Sequence, residues 1–424
     1  MGAKEFGCLS REVRKLHEKL DRSRTRSVRR GPSDEEKAIV KQLREALRQE
    51  EIWMRQQSRV TYLREGDRNT GYFHAQAAQR QHMNKIELLE RADGRICQTL
   101  EENHAEVQEF DRALYTTQGF RPMDDLLNFD PPKVTEQMND QLDMPYTAEE
   151  VRTVLFQMAP SKAPGVDGFT AGFFQKHWEL LRHDITSAVL GFLNGGDLPL
   201  GLNDTSITLI PKVRHPQSIS QYRPIALCLV LYKIAAKVIT NRLRSLMDEL
   251  ISDEQSAFVP GRLITDNILV AYECFHTIKN KREGREGLCA IKLDMHKAYD
   301  RVEWPFLKEI MLRLGFRQDW VKLIMQCVST VEYRVRINAE DSESFKPTRG
   351  LRQGDPLSPY LFLLCTEGLN ALLTRAEEIG TISGVKVCRD APPITNLLFA
   401  DDSLILMKAT QHNAEALKTA LDLY

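Results

Sequence analysis

Near the end of the chain, two apolar runs are separated by a short polar break and predict strands. These runs, at 396–398 and 404–407, flank a Phe-Ala-Asp-Asp tetrapeptide at 399–402. An apolar run, a short acidic break and a second apolar run are typical of a β-hairpin. The pattern therefore predicts a hairpin with two carboxylates at its turn.

Helical spacing of apolar residues appears through most of the remaining chain. Thr147 and Glu150 form a capping box ahead of the apolar positions Val151, Val154 and Leu155. Helices are predicted to begin near residues 34, 71, 148, 171, 224, 265, 304 and 358.

Three further expectations concern local structure. Pro224 suits a first helical turn and is expected to open a long amphipathic helix, with apolar positions as far as Leu246. Residues 206–210 predict a strand, and 92–94 a short hairpin turn. Residues 1–60 are helix-prone, but their apolar positions look too sparse for a strong core. Helices packed behind a few hairpin strands favour an α+β fold.

Composition narrows the class of protein. A chain of 424 residues with 42% hydrophobic and 28% charged residues has the balance of an ordinary globular protein. No apolar stretch approaches the roughly 20 residues needed to span a bilayer, and the N-terminus lacks an apolar signal segment. The eight cysteines are scattered, without a CxxC pair. These features predict an intracellular protein of the nucleus, the cytoplasm or both, without membrane partners.

Charge is distributed unevenly along the chain. The net charge of −1 does not by itself indicate a nucleic-acid binder. However, basic residues are concentrated between residues 11 and 30, and acidic residues between 101 and 130. A basic face of this kind suits a phosphate backbone. A solvated helix face explains the N-terminal residues equally well.

A second acid, Asp294, follows the apolar run 288–293 and indicates a metal site when combined with the hairpin. Alone, it would be expected to cap a helix. Carboxylates between buried strands are costly unless a cation meets them, and a hard divalent metal is the usual answer. Asp294 and Asp401 are expected to share two metals, with Asp402 more peripheral. Such equipment suits phosphoryl transfer and predicts a nucleic-acid polymerase.

Cationic and glycine-rich segments supply candidate substrate contacts. In the loop 349–359, glycines permit close backbone approach, while Arg352 and Gln353 offer donors to phosphate or sugar. A well-capped loop without any ligand explains the same composition. Lys212 and Arg223 are candidate partners for a triphosphate.

Taken together, these segments resemble the reverse transcriptase of non-LTR retrotransposons (long interspersed elements), most closely those of plants. The resemblance covers residue 50 or so to the end of the chain. It rests on 161–169, 209–212, 222–225, 256–262, 292–304, 350–359 and 399–402, in the family's order. The stretch 62–70 also resembles the region that these elements carry just before the polymerase.

The resemblance implies a right-hand polymerase with fingers, a palm and a small antiparallel palm sheet. It would be an RNA-directed DNA polymerase, a nucleotidyltransferase that uses an RNA template, a DNA primer, deoxynucleoside triphosphates and two Mg²⁺ ions, with Mn²⁺ as an alternative. Asp294, Asp401 and Asp402 would be the catalytic carboxylates, and the Met295 carbonyl would help to hold a metal. Tyr299 would lie under the incoming sugar and select deoxynucleotides.

The resemblance also implies a set of nucleotide contacts. Gln353 and Gly354 would line the nucleotide pocket beside Arg352, and Lys212 and Arg223 would approach the triphosphate from the fingers. The expected division is a helical, basic N-terminal extension at 1–130, fingers and the start of the palm at 131–290, and palm at 291–424.

The chain departs from the family pattern at both ends. An endonuclease domain before the polymerase and a helical thumb after Tyr424 are both expected to be absent. A fragment with preserved catalytic residues is therefore expected. The alternatives are a non-catalytic, nucleic-acid-binding remnant and an RNA-dependent RNA polymerase or intron maturase. Tyr299 and the alanine before Asp401 favour DNA synthesis. The oligomeric state is left open.

Overall fold

The computed structural model describes residues 3–27, 33–58, 70–91, 93–119, 132–282 and 286–424. The chain divides into two compact units. The smaller unit comprises 1–103, 209–223 and 337–340, and the larger unit comprises 104–208, 224–336 and 341–424. Of the family-like segments, 62–69 lies outside the described residues.

In the smaller unit, a helical hairpin buries a narrow apolar stripe. Helices α1 (Ala3–Ser27), α2 (Asp34–Ser58) and α3 (Thr70–Asn84) follow one another in the chain. The residues buried between α1 and α2 are Leu9, Val13, Leu16, Leu20, Ile39, Leu43 and Ala46. The expectation that this region lacks enough apolar positions for a core was wrong. Spacings of three and four residues suffice, because two helices need only one facing stripe each.

Two short-range predictions in the smaller unit are confirmed. The helix expected from residue 71 to 83 is α3, which is one residue longer at each end. A hairpin turn was expected at 92–94. Residue 92 lies outside the described residues, and an antiparallel bridge between Glu90 and Ile96 supports a hairpin across this stretch. Gly94 has φ 82°, a backbone conformation that glycine adopts without steric cost.

Twelve further helices lie in the described residues, and two of the long ones are largely buried. In chain order they are α4 (Leu100–Leu114), α5 (Glu136–Asp143), α6 (Ala148–Gln157), α7 (Ala171–Lys176), α8 (Trp178–Leu193), α9 (Val230–Arg244), α10 (Met247–Leu250), α11 (Ile264–Asn280), α12 (Trp304–Leu314), α13 (Gln318–Ser329), α14 (Ser358–Glu378) and α15 (Gln411–Leu423). Helices α9 and α14 are buried over most of their length. The predicted capping box opens α6, where the Thr147 side chain accepts from the Glu150 amide.

Within the part of the chain that the structure describes, the strands form two sheets. They are β1 (Asp204–Pro211), β2 (Tyr222–Cys228), β3 (Leu288–Asp294), β4 (Glu332–Ile337), β5 (Glu340–Asp341), β6 (Asn396–Phe399) and β7 (Asp402–Lys408). One sheet has the order β2-β1-β4-β5, and its β1–β4 pair is parallel. The other has the order β3-β7-β6 and is antiparallel throughout. A small antiparallel sheet, which the family resemblance implied, is present, and helices are mixed with small sheets as the α+β prediction requires.

The prediction that a helix begins at Pro224 was wrong. Pro224 lies inside β2, and the helix begins only at Val230. Residues 222–228 alternate between more and less buried positions, as the two-residue period of a strand requires. The fixed φ of proline is compatible with extended backbone as well as with a helix start.

Among the described residues, no helix combines the length and apolar character needed to cross a membrane.

Candidate active site

The antiparallel sheet brings two of the predicted acids into direct opposition. In the β3–β7 ladder Asp294 lies opposite Asp402, the last residue of one strand facing the first of the other. Strands β6 and β7 form the predicted hairpin, with Phe399 opposite Asp402 and a two-residue turn between them. Side chains directly opposite in a ladder are neighbours, so two carboxylates share one end of this sheet.

The third acid lies in the turn. Ala400 and Asp401 form it, and Ala400 has φ 59°, a left-handed conformation that side-chain-bearing residues seldom adopt. The Met295 amide donates to the Asp401 carbonyl over 3.3 Å, which joins the turn to the residue after β3. The register thus places Asp402, rather than Asp401, directly opposite Asp294. The sharing of metals expected for Asp294 and Asp401 stays a prediction.

A lysine partly neutralises this acidic end of the sheet. Lys292 Nζ lies 2.9 Å from Asp402 Oδ1. The pKa of Lys292 is raised, first by this contact and further by the charges of Asp294 and Asp401. All three carboxylates therefore contribute to one negative field. Within the described ranges, no three His, Cys, Asp or Glu side chains converge closely enough to hold a metal in this arrangement.

Tyr299 is held rigidly beside the acids. It begins a short 3₁₀ helix, Tyr299–Arg301, and its ring stacks on Phe362 at 4.7 Å between centroids and an interplanar angle of 17°. Burial, together with the charge of Asp401, raises the pKa of Tyr299 to about 12. The phenol consequently stays neutral at physiological pH.

The glycine-containing loop (349–359) packs closely against the short helix Tyr299–Arg301 and against β2. The Leu351 amide donates to the Tyr299 carbonyl over 2.7 Å. The Gln353 carbonyl accepts from the Ala226 amide over 2.8 Å. At Gly354, φ is 120°, and an added Cβ would lie 2.8 Å from the Ala226 carbonyl oxygen. Only glycine fits there, so the predicted close backbone approach is a contact with the protein's own strand.

The structure corrects the role expected of Arg352 as a nucleotide donor. Its guanidinium is buried and forms a 2.7 Å salt bridge with Asp355. It also donates to Asn203, to Thr205 over 3.3 Å and to the Cys327 carbonyl over 3.0 Å. Because these partners occupy the guanidinium group, it is unavailable to a ligand. Arg352 instead stabilises the loop through contacts in the protein interior. Its fixed partners come from distant segments, which the loop sequence does not reveal.

The two cations expected near the triphosphate lie in the smaller unit. Lys212 and Arg223 are both exposed. The Lys212 amide donates to the Gln221 carbonyl over 2.8 Å, and its ammonium donates to the Ser220 carbonyl over 3.1 Å. Their approach to a triphosphate stays a prediction.

Sequence reasoning missed one buried polar residue at the turn. The Gln255 side-chain carbonyl accepts from the Ala400 amide over 3.0 Å. Gln255 immediately precedes the family-like segment 256–262, but nothing in its local composition distinguishes it from an ordinary loop residue.

Comparisons with known proteins bear on this site. The profile of the family "Reverse transcriptase (RNA-dependent DNA polymerase)" matches residues 210–423, just over half of the chain. A 149 kDa protein of transposon TX1 from Xenopus laevis is 29% identical over 82% of the chain and 26% of its own length. A retrovirus-related Pol polyprotein of the type-1 retrotransposable element R2 from Popillia japonica is 28% identical over 62% of the chain and 35% of its own length.

A shorter protein adds a plant relative. An uncharacterised mitochondrial protein from Arabidopsis thaliana is 55% identical over 16% of the chain and 55% of its own length. The chain thus spans between about a quarter and about half of the length of these relatives. Because the family profile includes the hairpin, the opposed strand and the glycine-containing loop, the chain belongs to the reverse transcriptase (RNA-dependent DNA polymerase) family, in the form that non-LTR retrotransposons carry.

Proposed function

We propose that this chain copies RNA into DNA by extending a primer 3′-hydroxyl with deoxynucleoside triphosphates. The observation that carries the proposal is the direct opposition of Asp294 and Asp402, with Asp401 in the adjoining turn. Three carboxylates at the end of one small sheet supply the hard oxygen donors that two-metal nucleotidyl transfer needs. Family membership supports the same chemistry.

The carboxylate oxygens at the acidic end of the sheet are donors of the kind that Mg²⁺ prefers, with Mn²⁺ as an alternative. Like charges placed directly opposite in a ladder repel each other, and Lys292 compensates for only part of this charge. The Lys292 side chain is 68% exposed, so it can swing into solvent and release Asp402. Asp294, Asp401 and Asp402 would then hold the cations, with help from the Met295 carbonyl. When bound, the ions would activate the primer hydroxyl and stabilise the leaving pyrophosphate.

The neighbouring residues would orient the nucleotide. Tyr299, fixed by its stack on Phe362, would lie against the sugar and exclude a 2′-hydroxyl. Gln353 and Gly354, anchored to β2 through the loop backbone, would line the pocket. Lys212 and Arg223 would meet the triphosphate, because arginine and lysine are the usual partners of phosphate charge.

Primer extension by the 424-residue chain tests this function. An RNA template annealed to a DNA primer is incubated with Mg²⁺ and all four deoxynucleoside triphosphates, and products are resolved by length. Template-dependent extension is expected. Binding of the template–primer without any incorporation would instead identify a non-catalytic, nucleic-acid-binding remnant.

A plant element that acts inside the cell, in the nucleus, the cytoplasm or both, is part of the proposal. The match to an Arabidopsis protein supports the plant origin. The scattered cysteines support an intracellular site, and those that the structure describes are free thiols. Imaging of a tagged chain in plant cells tests this placement.

A further inference from the structure

A segment outside the hairpin extends the antiparallel sheet at its β6 edge. The Leu398 amide donates to the Glu254 carbonyl over 2.8 Å, and the Ser256 amide donates to the Leu398 carbonyl over 3.3 Å. A parallel bridge joins Gln255 to Leu398. The segment 254–256 therefore runs beside the strand that leads directly into the acidic turn.

The Gln255 side chain forms a hydrogen bond with the acidic turn at Ala400. It is fully buried, and its Oε1 accepts from the Ala400 and Ala257 amides, each over 3.0 Å. Ala400 is itself buried and has φ 59°. A side-chain-bearing residue keeps such a conformation only where its surroundings impose it. The bond to the Ala400 amide is a contact of this kind, one residue before Asp401.

Arg262 fixes the backbone that carries Gln255. Its Nη1 donates to the Gln255 carbonyl over 3.0 Å and to the Ser252 carbonyl over 2.6 Å. Its Nη2 donates to the Ile251 carbonyl over 2.7 Å and to the Asp248 carbonyl over 2.9 Å. Four charge-assisted bonds from one planar group leave the segment little freedom. Gln255 is thus presented to the turn from a rigid base.

We propose that Gln255 is a positioning residue for catalysis: its side-chain carbonyl holds the Ala400 amide and so sets the place of the Asp401 carboxylate relative to Asp294. This inference rests on the proposed function, since it assigns Gln255 to the same site. Gln255 touches neither substrate nor metal in this account and acts only through the turn. Metal-binding carboxylates must be held within a fraction of an ångström of the productive geometry, which gives such support its value.

Two variants of Gln255 distinguish the effect of the hydrogen-bond acceptor from the effect of side-chain shape. Gln255→Met keeps the length of the side chain but removes the acceptor, leaving two buried amides unpaired. Gln255→Glu keeps an oxygen that accepts in either protonation state. Gln326→Met on α13, at a glutamine that is partly rather than fully buried, controls for the general loss of an amide.

The first measurement is amide hydrogen exchange of the full chain, followed by mass spectrometry of the peptide that contains the turn. It does not depend on polymerase activity. Gln255→Met is expected to speed exchange of the Ala400 amide by about tenfold or more, while Gln255→Glu and Gln326→Met leave it near the parent rate. Unchanged exchange in Gln255→Met would overturn the proposal.

The second measurement is the Mg²⁺ dependence of primer extension. In Gln255→Met the Mg²⁺ concentration for half-maximal rate is expected to rise by about tenfold and kcat to fall by a similar factor, with KM for the nucleotide nearly constant. A purely structural role would lower the amount of active protein without moving the Mg²⁺ midpoint. An unmoved midpoint in an active Gln255→Met variant contradicts the inference alone, whereas an inactive parent contradicts the proposed function and, with it, the catalytic role of Gln255.

Discussion

At the scale of single residues, the site is a balance of charges that the sheet register imposes. Asp294 and Asp402 face each other because β3 and β7 pair at that point. Lys292 lies in β3, two residues before the end of that strand. The lysine stabilises the acids while no divalent cation is bound. It also competes with such a cation for Asp402.

Replacing Lys292 by methionine is predicted to strengthen metal binding. Without the ammonium group 2.9 Å from Asp402, the metal no longer displaces a salt bridge. The Mg²⁺ concentration for half-maximal primer extension should fall by about threefold, a size suited to an exposed ion pair. Lys322→Met on α13 serves as the control. An increased Mg²⁺ requirement in Lys292→Met would show that the lysine supports the bound metal instead of competing with it.

Tyr299 is predicted to set sugar selectivity. Tyr299→Val should raise the ratio of ribonucleotide to deoxynucleotide incorporation by about tenfold or more, because the ring that would meet a 2′-hydroxyl is removed. Single-nucleotide extension with each substrate measures this ratio. Tyr299→Phe keeps the ring on Phe362 and should keep the selectivity of the parent. Equal ratios in the valine variant and the parent would remove Tyr299 from this role.

At the scale of elements, close packing between the glycine-containing loop and β2 places the nucleotide-pocket candidates. Gly354 has φ 120°, and an added Cβ there would lie 2.8 Å from the Ala226 carbonyl oxygen. Gly350 has φ 98°, and a Cβ there would lie 2.7 Å from the Asp300 carbonyl oxygen. The loop therefore has two points at which no side chain is tolerated.

Gly354→Ala is predicted to destabilise the chain by about 2–4 kcal/mol, since it adds both backbone strain and a clash. Gly380→Ala is the matched control: its φ is 76°, but an added Cβ meets nothing within 4 Å. The control should cost only about 1 kcal/mol. Urea unfolding gives both free energies. Equal costs at the two positions would show that the contact with Ala226 does not matter.

Local patterns predicted some elements well and others poorly, for identifiable physical reasons. The hairpin and the Asp294 strand were predicted from apolar runs interrupted by acids. This was possible because the burial of a strand and its two-residue alternation depend on neighbouring residues in the sequence. Strand β2 was missed because proline suits extended backbone and helix starts alike. The burial of Arg352 was also missed, since Asn203 and Cys327, which receive its bonds, are remote in sequence.

At the scale of the whole molecule, the candidate residues belong to two compact units, a division that the sequence did not show. The three acids, Tyr299 and the glycine-containing loop belong to the larger unit, and Lys212 and Arg223 to the smaller. The larger unit also buries several carboxyl groups, among them that of Asp111. Burial raises the pKa of Asp111 from 3.8 to about 7, opposed by the charge of Lys297.

Asp111 is predicted to make the chain less stable as pH rises from about 4 to about 7. In this window the unfolded chain releases a proton that the folded chain retains, so rising pH favours unfolding. Asp111→Asn cannot ionise and should be the more stable protein at pH 8, by about 1–3 kcal/mol, with the difference shrinking toward pH 4. Thermal unfolding across this range measures it, and Asp390→Asn, at an exposed position, is the control. A stability difference that does not depend on pH would contradict this explanation.

DNA synthesis is predicted to depend most on Asp294 and Asp401 acting together on the primer. Primer extension by Asp294→Asn and Asp401→Asn, compared with the parent and with Asp319→Asn at an exposed position on α13, tests this directly. Both site variants are expected to lose activity by about a thousandfold or more while keeping the thermal stability of the parent, and Asp319→Asn to remain active. A folded Asp294→Asn variant that extends primers at a rate close to that of the parent would contradict the account.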